Sequence, residues 1–282
     1  MNRYPSVQSL IEMIRRVGSR QGRRSTGLYS IEGTRLVERA LGAGAPLEAV
    51  LVARRLVESD QLRHQALIEN LQISGTYLNV APDQVLTELT CGRDLGQILG
   101  LVRLPEPVAL DKLVEASTSP SPTASPMFLV AVDIVDPGNV GALIRTAHAA
   151  GAAGLLATGA SDPFHPRATR ISRGSIFRLP VITYKTSADL MNELRRLRVC
   201  ATAAIATGGT SLPEAAWPAG AVAVLMGNEA EGLPVEVVQN ADCLISIPMA
   251  SEVDSFSVNA AAAIIMYQIR HSHPIQWSGY ER

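Results

Sequence analysis

Short apolar runs alternate with helical segments through residues 127–282, and this alternation constrains the fold more than any other feature of the chain. The apolar runs are MFLVAVDIV, GLLAT, PVITY, VCATAAI, AVAVLMG and CLISIP. Such runs are typical of strands buried on both faces of a parallel sheet. The helical segments are VGALIRTAHAAG, SADLMNELRRL, PVEVVQNA and the Ala-rich SVNAAAAIIMYQIRH. The pattern predicts a doubly wound α/β fold, whose ligands bind beyond the carboxyl ends of the strands.

A proline-rich stretch precedes this region. Residues 105–126 contain five prolines and six serines or threonines, which excludes a continuous helix or a central strand. We therefore predict a linker over 106–126 between an N-terminal domain, 1–105, and a C-terminal domain, 127–282. Both are of ordinary domain size.

The N-terminal domain is predicted to be a small α/β unit. SVQSLIEMIRRV places apolar residues at helical spacing, and the turn-rich SRQGRRSTG follows it. The strands LYSIEG, LEAVLVA, TYLNV and QILGLVRL then alternate with the helices TRLVERALGAG and HQALIENLQ.

The charge of the chain excludes a strongly basic protein that binds nucleic acid by bulk charge, because the net charge is −1. Locally the balance differs, since residues 1–40 carry eight arginines against three acids. This +5 region is either a solvated surface or a phosphate-contacting face. Arginine outnumbers lysine 23 to 2, which suits phosphate recognition and equally reflects the codon bias of a GC-rich genome.

Apolar stretches are too short to span a bilayer, and the N-terminus lacks the apolar core of a signal peptide. Cys91, Cys200 and Cys243 lie far apart without CxxC spacing, so neither a disulfide framework nor a metal site is predicted. We expect each cysteine to be buried and inert, and the protein to be cytoplasmic with no membrane association.

Three polar loops follow predicted strands. In the first, residues 133–145, Pro137-Gly138 forces a turn, Asn139 is a good helix N-cap, and Arg145 lies on the opposite side of the helix. The second, GNEAEGLP at 227–234, lacks both the GxGxxG order and a Walker lysine. Its acids would repel phosphate and favour a neutral or positively charged ligand.

The third loop runs over residues 245–259 into the last helix. Pro248 ends the strand, and Asp254, Ser255 and Ser257 are candidate caps for that helix. Taken singly, the first loop also fits a structural turn, and capping alone would explain the third.

In combination and in order, DPGNVGALIRTA, GNEAEGLP and ISIPM with a serine-rich helix entry resemble the three motifs of the SpoU/TrmH family of RNA ribose 2′-O-methyltransferases, within the SPOUT superfamily. The intervening DPFHPRATRISRGSIFRLPV fits as well. RRSTGLYSIEGTRLVERAL resembles a signature of the family's accessory RNA-binding domain.

The resemblance implies an α/β fold with a small N-terminal α/β RNA-binding domain and a C-terminal domain tied in a deep trefoil knot. It further implies S-adenosyl-L-methionine as cofactor, RNA as substrate with rRNA favoured over tRNA, and a homodimer formed through the C-terminal domain.

Site residues are carried over by their match to the motifs. The catalytic candidates are Arg145, Asn139, Glu229, Ser257 and Asn259. The cofactor-binding candidates are Leu225, Met226, Gly227, Gly232, Ile247, Met249 and Phe256. The RNA-binding candidates are Arg23, Arg24, Arg35 and Arg170.

The third motif departs from the family pattern. The family usually has Ser-Leu-Asn-Val-Ser where this chain has Ser255-Phe256-Ser257-Val258-Asn259, so serine and asparagine are exchanged two positions apart. One hypothesis is that both groups serve a single hydrogen-bond network. A catalytically inactive RNA-binding relative is an alternative that this exchange favours, and the missing GxGxxG argues against a dinucleotide enzyme.

Overall fold

The computed structural model describes residues 6–93, 97–117 and 126–272. Its helices are α1 Val7–Val17, α2 Arg20–Thr26, α3 Thr34–Gly42, α4 Arg54–Val57, α5 Leu62–Ile73, α6 Asp83–Leu89, α7 Leu110–Ser117, α8 Pro137–Ala149, α9 Pro166–Ile171, α10 Ser187–Arg196, α11 Val235–Gln239 and α12 Val258–Ser272. Its strands are β1 Leu28–Glu32, β2 Leu47–Ala53, β3 Tyr77–Ala81, β4 Ile98–Arg103, β5 Met127–Val132, β6 Gly154–Thr158, β7 Val181–Tyr184, β8 Cys200–Ala204, β9 Thr210–Ser211, β10 Val222–Met226 and β11 Cys243–Ser246.

The chain forms two compact units. Unit 1 comprises residues 1–106 together with 164–178, and unit 2 comprises 107–163 and 179–282. Residues 164–178 lie within the predicted C-terminal domain, yet they pack in unit 1. The physical reason is hydrophobic packing, because Phe164 and Phe177 pack against the buried cluster that contains Tyr29 and Leu36.

Unit 1 is a four-stranded sheet in the order β1-β4-β2-β3, covered by helices on both faces. Leu10, Ile11 and Ile14 of α1 pack on one face, as their helical spacing predicts. Leu36 and Val37 of α3 pack on the other face. α1 and α3 therefore lie on opposite sides of this sheet.

Unit 2 is a seven-stranded parallel sheet in the order β7-β6-β5-β10-β8-β11-β9. Helices α8 and α12 pack on one face. Side chains of α7, α10 and α11 join the core on the other face. The predicted doubly wound α/β architecture is confirmed.

Two predicted irregular segments are helical. SRQGRRSTG contains α2, because Ser19 caps its first turn by accepting from the Gly22 amide at 3.0 Å and Gly27 ends it in the left-handed conformation. Within the predicted linker, 110–117 forms α7, where Leu110 is buried and Leu113 packs on the unit 2 core. Residues 118–125 lie outside the described part of the chain.

The expectation of buried cysteines is wrong for two of the three. Cys91 and Cys243 are exposed, and Cys200 is half-buried. Cys91 lies in the turn that follows α6, and Cys243 opens β11, so neither position is covered by the core. Burial raises the pKa of the Cys200 thiol to about 11, which keeps this thiol protonated at neutral pH.

Arg270 joins the end of α12 to the end of α8. Its guanidinium is buried and donates to the carbonyl oxygens of Ala150 (2.9 Å) and Gly151. A cation at these carbonyls opposes the negative end of the α8 dipole. Burial lowers the pKa of Arg270, so the carbonyls must offset the cost of desolvating its charge.

Arg270→Met is expected to lower the free energy of unfolding by about 2 kcal/mol, since hydrogen bonds from a charged donor to two partly buried carbonyls are lost. Urea denaturation measures the change. Arg196→Met is the control, because Arg196 is exposed and pairs only with Glu193 one turn away, at 3.4 Å, among the described residues. Equal urea midpoints for the two variants would contradict the role given to Arg270.

Candidate active site at the carboxyl edge of the parallel sheet

The unit 2 strands are all parallel, but the direction in which the chain adds new strands to the sheet reverses between β5 and β10. From β5 the chain builds outward through β6 and β7, then crosses to β8 on the other side of β10. A crevice forms beyond the carboxyl ends of the strands at such a switch point. Residues 133–139 follow β5 there, and residues 227–234 follow β10.

The loop 227–234 is a tight closed turn. Asn228 and Gly232 exchange backbone hydrogen bonds of 3.0 and 2.8 Å, and Gly232 adopts φ 74°. A Cβ at Gly227 would lie less than 3.0 Å from backbone atoms of Gly232 and Leu233. Only glycine therefore permits this closure at position 227.

Asn228 anchors the loop to Asp133, the residue directly after β5. The sequence analysis did not identify Asn228 as a functional residue. Its side-chain amide donates to the Asp133 carbonyl at 3.1 Å, and its side-chain oxygen accepts from the Ala230 amide at 2.9 Å. Asp133 itself has φ 51°. An asparagine directly after a glycine at the end of a strand is the signal that could have identified it.

Asn139 does not cap α8, contrary to prediction. Asp136 is the N-cap, accepting from the Gly138 amide at 2.9 Å, and Pro137 occupies the first helical position, where its fixed φ suits the helix. Asn139 lies two positions further along, at the third residue of the first turn. Its side chain is therefore available for contacts across the crevice.

Three predicted catalytic residues form a hydrogen-bonded chain. The Asn139 amide nitrogen donates to the Glu229 carboxylate, and the Asn139 oxygen accepts from the Asn259 amide nitrogen at 3.0 Å. These residues come from α8, the β10 loop and α12. The structure thus brings together one residue from each of the three sequence motifs.

The direction of each hydrogen bond in the Glu229–Asn139–Asn259 chain follows from Glu229. An ionised carboxylate only accepts hydrogen bonds, so Asn139 must direct its NH₂ group to Glu229 and its oxygen to Asn259. Asn259 must then donate to Asn139, which leaves its own Oδ1 at the end of the chain. That oxygen is buried and has no hydrogen-bond partner among the described residues.

Ser257 belongs to a different set of contacts. Its hydroxyl accepts from the Ala260 amide at 3.4 Å at the start of α12, as the capping prediction requires. The described structure has no hydrogen bond between Ser257 and Asn259. The two exchanged residues thus have different partners among the described residues, and the hypothesis of one shared network stays a prediction.

An open cavity of about 650 Å³ lies beside the Glu229–Asn139–Asn259 chain. Six of the predicted cofactor-binding residues line it: Met226, Gly227, Gly232, Ile247, Met249 and Phe256. Glu229 and Ser257 line it as well, and so do Asn228, Asp254 and Ile205. Its volume is within the range typical of small-molecule sites.

Leu225 is the exception among the cofactor-binding candidates. It is fully buried in the core cluster of α7, α10 and α11 and does not line the cavity. Successive side chains of a strand point to opposite faces, so Met226 and Leu225 cannot face the same side of β10. We therefore correct its assignment from cofactor contact to core residue.

Arg145 lies apart from this chain. It is six residues beyond Asn139 on α8, is exposed, and has no hydrogen-bond or ion-pair partner among the described residues. Six residues are about 1.7 helical turns, which turns the two side chains to different sides of α8. The structure of one chain therefore does not bring Arg145 to Asn139 or Glu229.

The four RNA-binding candidates differ in placement. Arg23 is 3% exposed and donates to the carbonyl oxygens of Val17 (2.8 Å) and Gly18 (3.0 Å). It stabilises the end of α1, so its assignment to an RNA-contacting surface is wrong. Arg24 and Arg35 are exposed. Arg170 donates to the buried Glu32 carboxylate at 3.0 Å.

Two further observations concern the described residues as a set. None of their helices is long and apolar enough to cross a membrane. Among the same residues, no group of three or more His, Cys, Asp and Glu side chains is placed to hold a metal ion.

Glu229→Ala is expected to slow the chemical step at this site by about 100-fold, because it removes the anchor that orients the Asn139 amide. Glu229→Gln is the matched variant. Its amide oxygen can still accept from Asn139, so we expect at least a tenth of the wild-type rate to remain. Single-turnover kinetics measures both rates, and equal losses for the two variants would show that charge, not orientation, matters.

Comparisons with known proteins agree with this geometry. The SpoU rRNA Methylase family model matches residues 126–267, and the MRM3-like substrate binding domain matches residues 8–90. The chain is 27% identical over 257 residues to the 23S rRNA (guanosine(2553)-2′-O)-methyltransferase RlmP of Bacillus subtilis, covering 91% of this chain and 94% of that protein.

A second relative is an uncharacterized tRNA/rRNA methyltransferase of Mycobacterium avium, 31% identical over 89% of this chain and 79% of its own length. Among solved structures, the AdoMet-bound rRNA methyltransferase from Sinorhizobium meliloti superimposes with a TM-score of 0.78 at 25% identity, covering 95% of this chain and 97% of that one. The family model covers half of the chain and spans all three motif loops of the crevice, and the chain belongs to the SpoU rRNA methylase family.

Proposed function

We propose that this protein transfers a methyl group from S-adenosyl-L-methionine to a ribose 2′-hydroxyl of ribosomal RNA. The observation that carries the proposal is the Glu229–Asn139–Asn259 chain, which joins three motif loops beside the 650 Å³ cavity. The 23S rRNA specificity named for the Bacillus subtilis relative supports rRNA as the substrate.

The cavity residues fit S-adenosyl-L-methionine. Ile247, Met249 and Phe256 supply apolar surface for its adenosine, and the glycine-rich turn brings backbone groups to the cavity wall. Glu229 and Asp254 place carboxylates at the same cavity, which favours a cationic ligand over a phosphate. When bound, the cofactor supplies an electrophilic methyl group on a positively charged sulfur.

The protein's own residues orient the reacting groups. Holding two reactants in alignment is worth about 7–11 kcal/mol, and the Asn139 amide, fixed at both ends, is a rigid element for this purpose. Arg145 binds an RNA phosphate and stabilises the negative charge that develops on the ribose 2′-oxygen. A guanidinium has five N–H donors and no acceptor, so Arg145 acts as a hydrogen-bond donor, not as a base.

The assignment of Arg145 to the reaction requires a second copy of the chain. We include in the proposal a homodimer formed through the C-terminal domain, in which Arg145 of one protomer completes the crevice of its partner. The exposed Tyr267 (73%) and Ile264 (37%) on α12 support an interface there. The trefoil knot implied by the family resemblance and a cytoplasmic location, where rRNA is modified, belong to the same proposal.

Mixing two impaired variants tests the dimer. The Arg145→Ala and Asn139→Ala homodimers are each expected to react about 100-fold more slowly than the wild type. In a mixed dimer, however, one crevice regains both wild-type residues, so activity should return to about a quarter of wild type after random exchange of subunits. No recovery after subunit exchange would place Arg145 and Asn139 in the same protomer's site.

Methylation itself is tested by incubating the purified protein with labelled S-adenosyl-L-methionine and 23S rRNA transcripts, followed by mapping of 2′-O-methyl positions. We expect one labelled ribose, which should be unmethylated in RNA from a deletion strain. Binding of RNA and cofactor without any transfer would instead establish the inactive relative.

A further inference from the structure

Residues 164–178 add a basic segment to unit 1. The segment carries four arginines and no acidic residue. The Phe164 ring lies 5.1 Å from that of Tyr29, and the Thr169 hydroxyl donates to the Ser30 carbonyl at 3.3 Å. The segment is therefore fixed against β1 as a structural part of unit 1.

Four exposed arginines lie on helix α3 or next to it. Arg35 and Arg39 lie four residues apart on α3, hence on one face about 6 Å apart along its axis. Arg39 donates to the Arg173 carbonyl, and Arg178 donates to the Gly42 carbonyl, at 3.0 Å, where α3 ends. All four are exposed, and we call Arg35, Arg39, Arg173 and Arg178 the α3 arginine strip.

The contact between the two segments depends on Gly174. This residue has φ 89°, and a Cβ there would lie 2.7 Å from Cδ of Arg39. The preceding Arg173 also has a positive φ, 53°. The backbone thus makes a tight turn that presents the Arg173 carbonyl to Arg39 and holds Arg173 next to α3.

The strip is strongly positive in a chain whose net charge is −1. Residues 34–42 and 164–178 together contain six arginines and one acid, Glu38. Arg63 neutralises that acid with a hydrogen bond of 2.7 Å. The nearby Glu32 is buried between Arg93 and Arg170. The adjacent carboxylates are therefore already paired, and the strip's charge is left for an external anion.

The chemistry of the strip favours a phosphate backbone over an acidic protein surface. Arginine forks bind phosphate oxygens in bidentate fashion. Protein interfaces have an apolar core inside a polar rim, whereas the exposed large apolar residues described in unit 1 lie outside both α3 and residues 164–178. We propose that the α3 arginine strip binds successive phosphates of the RNA substrate, an inference that rests on the proposed function.

The test compares two double variants of the full-length protein. Arg35→Gln with Arg173→Gln removes two strip charges, and neither side chain has a hydrogen-bond partner among the described residues. Arg15→Gln with Arg16→Gln is the control, because it removes the same charge from α1 on the opposite face of the sheet. Affinity is measured for a 23S rRNA transcript and for an unrelated hairpin, at several KCl concentrations.

We expect the strip variant to bind both RNAs at least tenfold more weakly at 0.1 M salt, and its slope of log K against log[salt] to be shallower by about 1.5–2. The control should keep the wild-type slope. Calorimetry should give both variants the wild-type affinity for S-adenosyl-L-methionine, since the strip is part of unit 1 and the cofactor cavity is lined by unit 2.

Each other outcome overturns a stated claim. Wild-type affinity and slope in the strip variant would overturn the strip while leaving the proposed function intact. Weaker binding to polyglutamate with unchanged RNA binding would assign the strip to an acidic protein partner. A loss confined to the 23S transcript would indicate base recognition instead of phosphate binding. Absence of methylation by the wild type would contradict the proposed function itself.

Discussion

Replacing Gly227 with alanine is expected to abolish S-adenosyl-L-methionine binding, with at least a 100-fold rise in Kd. The added Cβ would collide with backbone atoms of Gly232 and Leu233, which cannot rotate away as a flexible side chain would. The loop must open, and opening breaks the Asn228–Gly232 backbone pair. Because this turn forms one wall of the cavity, its displacement removes the wall.

Calorimetry measures the change, and circular dichroism checks that the fold remains. Gly220→Ala is the matched control, since a Cβ at Gly220, in the loop before β10, would meet nothing within 4 Å. That variant should bind the cofactor as the wild type does. Tight binding by Gly227→Ala would mean that the cavity beside loop 227–234 is not where the cofactor binds.

Arg145→Ala is expected to lower the single-turnover rate of methyl transfer by about 100-fold, the usual cost of removing a donor to a developing oxyanion. Cofactor affinity should not change, because Arg145 does not line the cavity. A lost rate with unchanged cofactor affinity distinguishes an RNA-facing role from a cofactor-binding one.

Arg145→Lys should recover part of the rate, since the charge remains but the planar fork is lost. Arg196→Ala, at an exposed arginine of the same unit, should keep the full rate. Equal rates for Arg145→Ala and wild type at saturating RNA would remove Arg145 from the reaction.

Local patterns predicted most elements of the fold. Each apolar run in 127–272 became a strand, and each helical segment between the runs became a helix. Side-chain periodicity is a property of a few consecutive residues, so it is readable without knowing the partner elements. The failures were also local, because the capped helix α2 and the short α7 lie in segments whose turn-forming residues obscured their helical spacing.

The site was predicted as a set of residues, but not as an arrangement. Ordered motifs identified Asn139, Glu229 and Asn259, yet they could not show that these side chains form one chain of hydrogen bonds. They also placed Leu225 at the cavity and Arg23 on an RNA-contacting surface, although both are buried. A motif carries the identity of a residue, whereas burial depends on which face of its element the core covers.

The sequence by itself therefore determined the α/β class, the identity of the family and the residue types at the crevice. The tertiary structure alone decided which of those residues meet, because strand order sets contacts between positions about 90 and 120 residues apart, as for Asn139 with Glu229 and Asn259. It also decided that residues 164–178 complete unit 1. Packing of Phe164 and Phe177 in a distant core is a non-local energy that no short pattern of residues encodes.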